Sequence, residues 1–235
     1  MKTNNKTFKM PWFTLLIILI LVPATIFFGN KFLSERQHYF VSLAIILEIL
    51  IPFLAGFEHK KPKAREIVLL AILTALAVGS RLLFASVSHF KPTLTIIMLS
   101  GIAFGGNIGF LTGALTAFVS NMFFGQGPWT PWQMFTMGIC GFVAGLIFYN
   151  RPKLIKSPIL GAFGFLSIIV LYGGILNTSS ALVWEQNINF GIIWSYIVLG
   201  APFDALHGVA TAFFMFVLGK PVLQKINHIK IKYNL

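Results

Sequence analysis

The chain has 235 residues, 57% apolar and 15% aromatic with only 10% charged, and a mean hydropathy of +0.83. A soluble domain carries about 25% charged residues, so an ordinary water-soluble enzyme is excluded, and several apolar runs reach the roughly 20 residues that cross about 30 Å of hydrocarbon. The net charge of +12 does not indicate a nucleic-acid partner, because the basic residues stand between the apolar runs rather than in one patch.

The runs predict an all-α, polytopic transmembrane helix bundle of eight spans, at about 11–29, 39–57, 66–88, 93–106, 108–124, 132–149, 158–176 and 190–218. The first run lacks a small-residue cleavage pattern and carries Pro23 late, so it reads as a retained helix rather than a signal peptide. The fourth is short for a full crossing. It leaves the fourth and fifth open as a re-entrant pair or as two helices turning at Gly105-Gly106-Asn107. The basic loop from Glu58 to Arg65 sets an N-terminal two-helix hairpin with that loop (1–63) apart from a six-helix core (64–220), and a basic tail follows (221–235). The core holds 19 of the 21 glycines, and any binding site is expected there.

In this arrangement 14 of the 18 Lys and Arg residues fall on one side: Lys2, Lys6 and Lys9, the group from Lys60 to Arg65, Arg151, Lys153 and Lys156, and the four lysines from Lys220 to Lys232. The positive-inside rule then predicts a multi-pass protein of the cell membrane with both termini cytoplasmic. Anionic lipid headgroups are the natural partner of those loops. The lone Cys140 offers neither a disulfide nor a thiolate metal cluster.

Helices in lipid approach one another through small residues, and three ladders have the required spacing: Ala71, Ala75 and Gly79; Gly105, Gly109 and Gly113; Gly141 and Gly145. Each serves either internal packing or, if exposed, a docking face for another membrane protein.

The segment Asn-Met-Phe-Phe-Gly-Gln-Gly-Pro-Trp-Thr-Pro-Trp-Gln over 121–133 falls on the side opposite the basic loops. Trp129 and Trp132 offer flat apolar faces, and Asn121, Gln126, Thr130 and Gln133 offer neutral hydrogen-bonding groups. An interfacial aromatic belt accounts for the tryptophans as well, but does not require the amides. Two further loops on that side, His89 to Lys91 and Asn177 to Asn189 with Trp184 and Gln186, together with Tyr172 and Trp194 at nearby helix ends, complete a candidate amphipathic pocket. Such a lining suits a flat ring system bearing amides or hydroxyls.

Ionisable groups inside spans cost about 2.5 to 3.5 kcal/mol on the insertion scale and are functional candidates by default. They are Glu48, Arg81 and the Asp204 and His207 pair, the last just after Gly200 and Pro202. Arg81 either pairs with Asp204 inside the bundle or snorkels to the headgroups. The constellations of intramembrane enzymes are missing: no Gly-x-Ser-x-Gly elbow, no His-Glu-x-x-His motif and no phosphate-binding glycine loop occur. Asp204 and His207 give two metal ligands where catalytic zinc takes three. No catalytic residue, metal or cofactor is expected, and transport or binding is the default.

From about residue 64 to 220 the chain resembles the substrate-binding S components of energy-coupling factor (ECF) vitamin transporters. The resemblance rests on the Ala-x-x-x-Ala pattern of Ala71 and Ala75 at the start of a six-span core. It rests also on the stretches 104–113 and 125–134, which look like the cobalamin branch. The resemblance implies a vitamin ligand held beneath the three outer loops, cobalamin favoured, with riboflavin, pantothenate and folate as alternatives. It also implies docking through the Ala71, Ala75 and Gly79 face on a transmembrane coupling (T) component driven by two cytoplasmic ATPases. The N-terminal hairpin departs from the family's six helices. A scaffold or assembly protein whose ladders bind other helices is the reading from a different class.

Overall fold

The computed structural model describes residues 64–185 and 187–233, together with Ala24, Thr25, Ala44, Leu47, Glu48, Leu50 and Ile51. Most of the expected N-terminal hairpin, and Gln186, lie outside the described residues. Of its described positions, Thr25 Oγ1 donates to Glu48 Oε1 at 2.6 Å, and Leu50 is buried in one cluster with Phe110 and Ala114.

Six helical segments follow, with no strand among the described residues: α1 (Ala64–Leu83), α2 (Thr93–Phe104), α3 (Gly106–Phe124), α4 (Thr130–Phe148), α5 (Ser157–Trp184) and α6 (Phe190–Tyr233). All but α2 are long and apolar enough to cross a membrane. The 12 residues of α2 reach only about 18 Å, and almost all of them are buried inside the bundle. The fourth run is thus a short interior helix, turning at Gly105 into a full-length α3.

Local chemistry sets the ends. Glu66 in the first turn of α1 and Arg81 in its last complement the helix dipole. Pro131 and Pro158 lie in the first turns of α4 and α5, where a missing N–H costs nothing. Gly125 closes α3 with φ 99°, a conformation that a side chain would strain.

Two expected boundaries move. The seventh span does not stop near 176: α5 runs on to Trp184 through a π segment, Ile168–Gly173. Asn177 and Trp184 are therefore helical residues rather than part of a loop. The final span passes beyond 218, because α6 tolerates Pro202 and Pro221 and continues to Tyr233. In a helix packed within a bundle, neighbouring helices and local adjustment re-satisfy the backbone groups that a proline frees.

The glycine ladders divide. Gly109 and Gly113 of α3 lie directly against the backbone of Gly141 and Met137 of α4, and Gly101 of α2 against Gly141, so closely that an added Cβ would overlap main-chain atoms. Those ladders are internal packing. The ladder on α1 is not: Ala71 and Ala75 are exposed, no described residue stands within 4 Å of a Cβ at Gly79, and Ile67, Val68, Ile72 and Leu76 beside them are more than half exposed.

Candidate functional site

Polar side chains in the last turns of α1 and α3 and the first turn of α4 form one network. Asn121 is its hub, only 1% exposed. Its Oδ1 accepts from Arg81 Nη1 at 2.9 Å, and its Nδ2 donates to Gln133 Oε1 at 2.8 Å and to Thr130 Oγ1 at 3.2 Å. Arg81 Nη1 also donates to Ser120 Oγ. The Thr130 hydroxyl donates to Gln126 Oε1 at 2.9 Å and accepts from the Gly127 amide at 3.1 Å, while Gln126 Nε2 donates to the Phe118 carbonyl at 2.9 Å. Asn121, Gln126 and Thr130 are thus spent on holding the α3–α4 connection. Gln133 keeps its amide nitrogen, and Arg81 its remaining guanidinium N–H groups, without partners among the described residues.

Arg81 does not pair with Asp204. That expectation fails because each has a nearer neutral partner: Arg81 has Ser120 and Asn121 beside it, and Asp204 Oδ2 accepts from Asn177 Nδ2 at 2.7 Å across the α5–α6 contact. The Asp204 carboxylate rests against Gly173, where a Cβ would overlap it. Glycine in the π segment therefore admits the acid between the helices, and π segments recur at functional sites.

The 84–92 connection joins this second group to the first. His89, at φ 58°, places its ring 5.3 Å from Phe203 and 6.4 Å from His207, and His207 meets Tyr172 edge-on at 5.0 Å. Two residues on, Lys91 Nζ lies 5.7 Å from the centre of the Phe124 ring, the same ring that the Arg81 guanidinium covers at 4.9 Å. Burial, and then the charge of Arg81, hold the Lys91 amine below its ordinary range. Neither cation has a carboxylate partner among the described residues, and no group of three His, Cys, Asp or Glu side chains there could hold a metal.

The expected residues thus sort into two sets. Arg81, His89, Lys91, Asn121, Gln126, Thr130, Gln133, Tyr172 and Asn177 meet in these two linked groups. The tryptophans do not. Trp129 folds over Gly127; Trp132 packs on the Phe110 cluster with its indole N–H buried and unpartnered. Trp184 is 63% exposed, and Trp194, 56% exposed, stacks on Phe190 at 6.5 Å. Ser120, Phe124 and Phe203 are participants that sequence reasoning missed. Ser120 carried a signal: with Thr112 and Thr116 it continues a four-residue polar ladder inside an apolar run.

A family model described as "ECF-type riboflavin transporter, S component" matches residues 61–227. Curated relatives include UPF0397 proteins of Aliivibrio fischeri strain MJ11, 29% identical over 113 residues, or 46% of this chain and 61% of theirs. Others come from Vibrio atlanticus strain LGP32, 29% identical over 126 residues, 50% and 68%, and Aliivibrio salmonicida strain LFI1238, 27% identical over 113 residues, 46% and 61%. The chain spans about three fifths of the length of the first of these. No solved structure matches.

Proposed function

The chain belongs to the family of ECF-type riboflavin transporter S components, and from that premise we propose that it captures a vitamin at the Arg81, Asn121 and Gln133 end of its bundle. As an S component it is a transport subunit and not an enzyme. The observation that carries the reading is the convergence of Arg81 and Lys91 on the Phe124 ring, with Gln133, whose amide nitrogen has no partner among the described residues, linked to Arg81 through Asn121. Two cations with no carboxylate partner among the described residues, next to aromatic rings and an amide, form a lining for a flat ligand that also bears an anionic or amide group.

Cobalamin or a related corrinoid is the first reading. Its ring edge carries amides that Gln133 and Asn177 complement, and its nucleotide arm carries a phosphodiester that suits Arg81 and Lys91. Riboflavin is the second, favoured by the family's description; its ring would stack on Phe124 or Tyr172. Calorimetry on the purified full chain with each vitamin separates them. We expect saturable one-to-one cobalamin binding that Arg81→Gln weakens about tenfold or more. Riboflavin binding without cobalamin binding overturns the first reading and keeps the second, and binding of neither by folded protein overturns both.

Delivery requires partners. The exposed Ala71, Ala75 and Gly79 stripe on α1 supports docking on a transmembrane coupling component, energised by two cytoplasmic ATPases. In this reading both termini and the basic loops face the cytoplasm, and the vitamin enters from the opposite side.

A further inference from the structure

At the end of the bundle away from Arg81, α6 leans over the α2–α3 turn and the α4–α5 connection and leaves a cleft of about 400 Å³, a volume typical of small-ligand sites. Its floor is apolar, made of Ile102, Ala103, Phe148 and Leu223, and its rim carries three cations, Arg151, Lys220 and Lys230. None of its 14 lining residues is acidic.

The cations differ in how firmly they are held. Lys230 reaches across the cleft, donating to the Ala103 carbonyl at 2.7 Å with its Nζ 5.2 Å from the Phe104 ring centre and 5.6 Å from that of Tyr149. Arg151 Nη1 donates to the Ile147 carbonyl at 3.2 Å, which leaves most of its fork open. Among the described residues Lys220 has no partner, and none of the three pairs with a carboxylate. The amides of Asn150 and Gln224 stand on the same rim. A basic loop alone serves topology; a recess with an apolar floor, a cationic rim and neutral amides is a receptor for a phosphate group attached to something greasy.

We propose that this cleft binds the phosphate of an anionic phospholipid headgroup, with Arg151 and Lys220 as its mobile ligands and Lys230 as a fixed one. The glycerol lies on the Ile102 and Leu223 floor and the acyl chains pass out along α6. This site is separate from the vitamin end and stands whichever vitamin is bound.

The test uses the full chain, delipidated in neutral detergent, with dioctanoyl phosphatidylglycerol, dioctanoyl phosphatidylcholine and inorganic phosphate as probes, read by native mass spectrometry. Phosphatidylglycerol should bind saturably and phosphatidylcholine should not. Arg151→Gln with Lys220→Gln should weaken binding by about tenfold or more, while Lys153→Gln with Lys225→Gln, the same charge change outside the cleft, should leave it intact. Inorganic phosphate that binds alone and is lost in the same double variant supports the phosphate chemistry and moves its source from lipid to free ion. Equal loss in both double variants, equal binding of the two lipids, or no binding by protein with an intact melting transition overturns the proposal.

Discussion

Arg81 on α1 and Asn121 on α3 are joined by a hydrogen bond of 2.9 Å, and the same buried amide holds Gln133 and Thr130 of α4. One side chain therefore ties three helices, and a cation inside the bundle is held by neutral partners, with no acid beside it among the described residues. Asn121→Leu keeps the branched four-atom side chain and removes the acceptor and both donors. It should destabilise the protein by about 2 kcal/mol or more, because Arg81 and Gln133 lose a buried partner together. A melting temperature in detergent equal to that of the native chain would sink the assignment of Asn121 as the hub.

Asp204 answers to Asn177, not to Arg81. In double-mutant cycles on stability, Asn177→Ala with Asp204→Ala should couple by about 0.5 to 3 kcal/mol, whereas Arg81→Gln with Asp204→Asn should be additive within about 0.5 kcal/mol. Strong coupling in the second cycle would restore the ion pair.

The divided ladders predict opposite responses to the same added methyl group. Gly141→Ala drives a Cβ into the Gly109 backbone and should cost about 1 to 3 kcal/mol. Gly79→Ala meets no described residue within 4 Å and gains helix propensity, so it should be neutral or stabilising by up to about 1 kcal/mol. Thermal melts of the two variants side by side decide it; equal losses would mean that the α1 face is covered.

That exposed face has a functional test. Ala71→Trp with Ala75→Trp should leave folding and vitamin affinity unchanged and abolish uptake when the coupling module is present. Unchanged uptake would remove this face from docking, and lost affinity with preserved uptake would place it in the binding site instead.

Much of the architecture was legible because apolar runs broken by Gly and Pro are the signal that lipid imposes. The α3 and α4 runs were read to within a few residues. The length of α6 was not, since Pro221 reads as a stop in water while the helix passes through it here. Four-residue spacing marked Ala71 and Gly109 alike; it reveals that a face is small, not what it meets, so the exposed ladder could not be told from the buried one. At the site, Asn121 and Gln133 stood out as amides beside apolar runs, but their mutual bonds depend on how α3 and α4 are rotated. The tryptophans misled for the same reason: ring chemistry fixes what Trp132 could touch, and helix rotation turned it toward Phe110.

The 44 residues of α6 make a rod of about 66 Å, roughly twice the thickness of the hydrocarbon layer. Asp204 and His207 lie just before its midpoint, and Lys220 and Lys230 lie beyond it toward Tyr233. Such a rod behaves as a lever: pivoting by roughly 10° about its midpoint, it swings each tip by about 6 Å in opposite directions. Phe203 and His207, which face His89 and Tyr172, lie close to that midpoint, so the same tilt would move them by only about 1 to 2 Å.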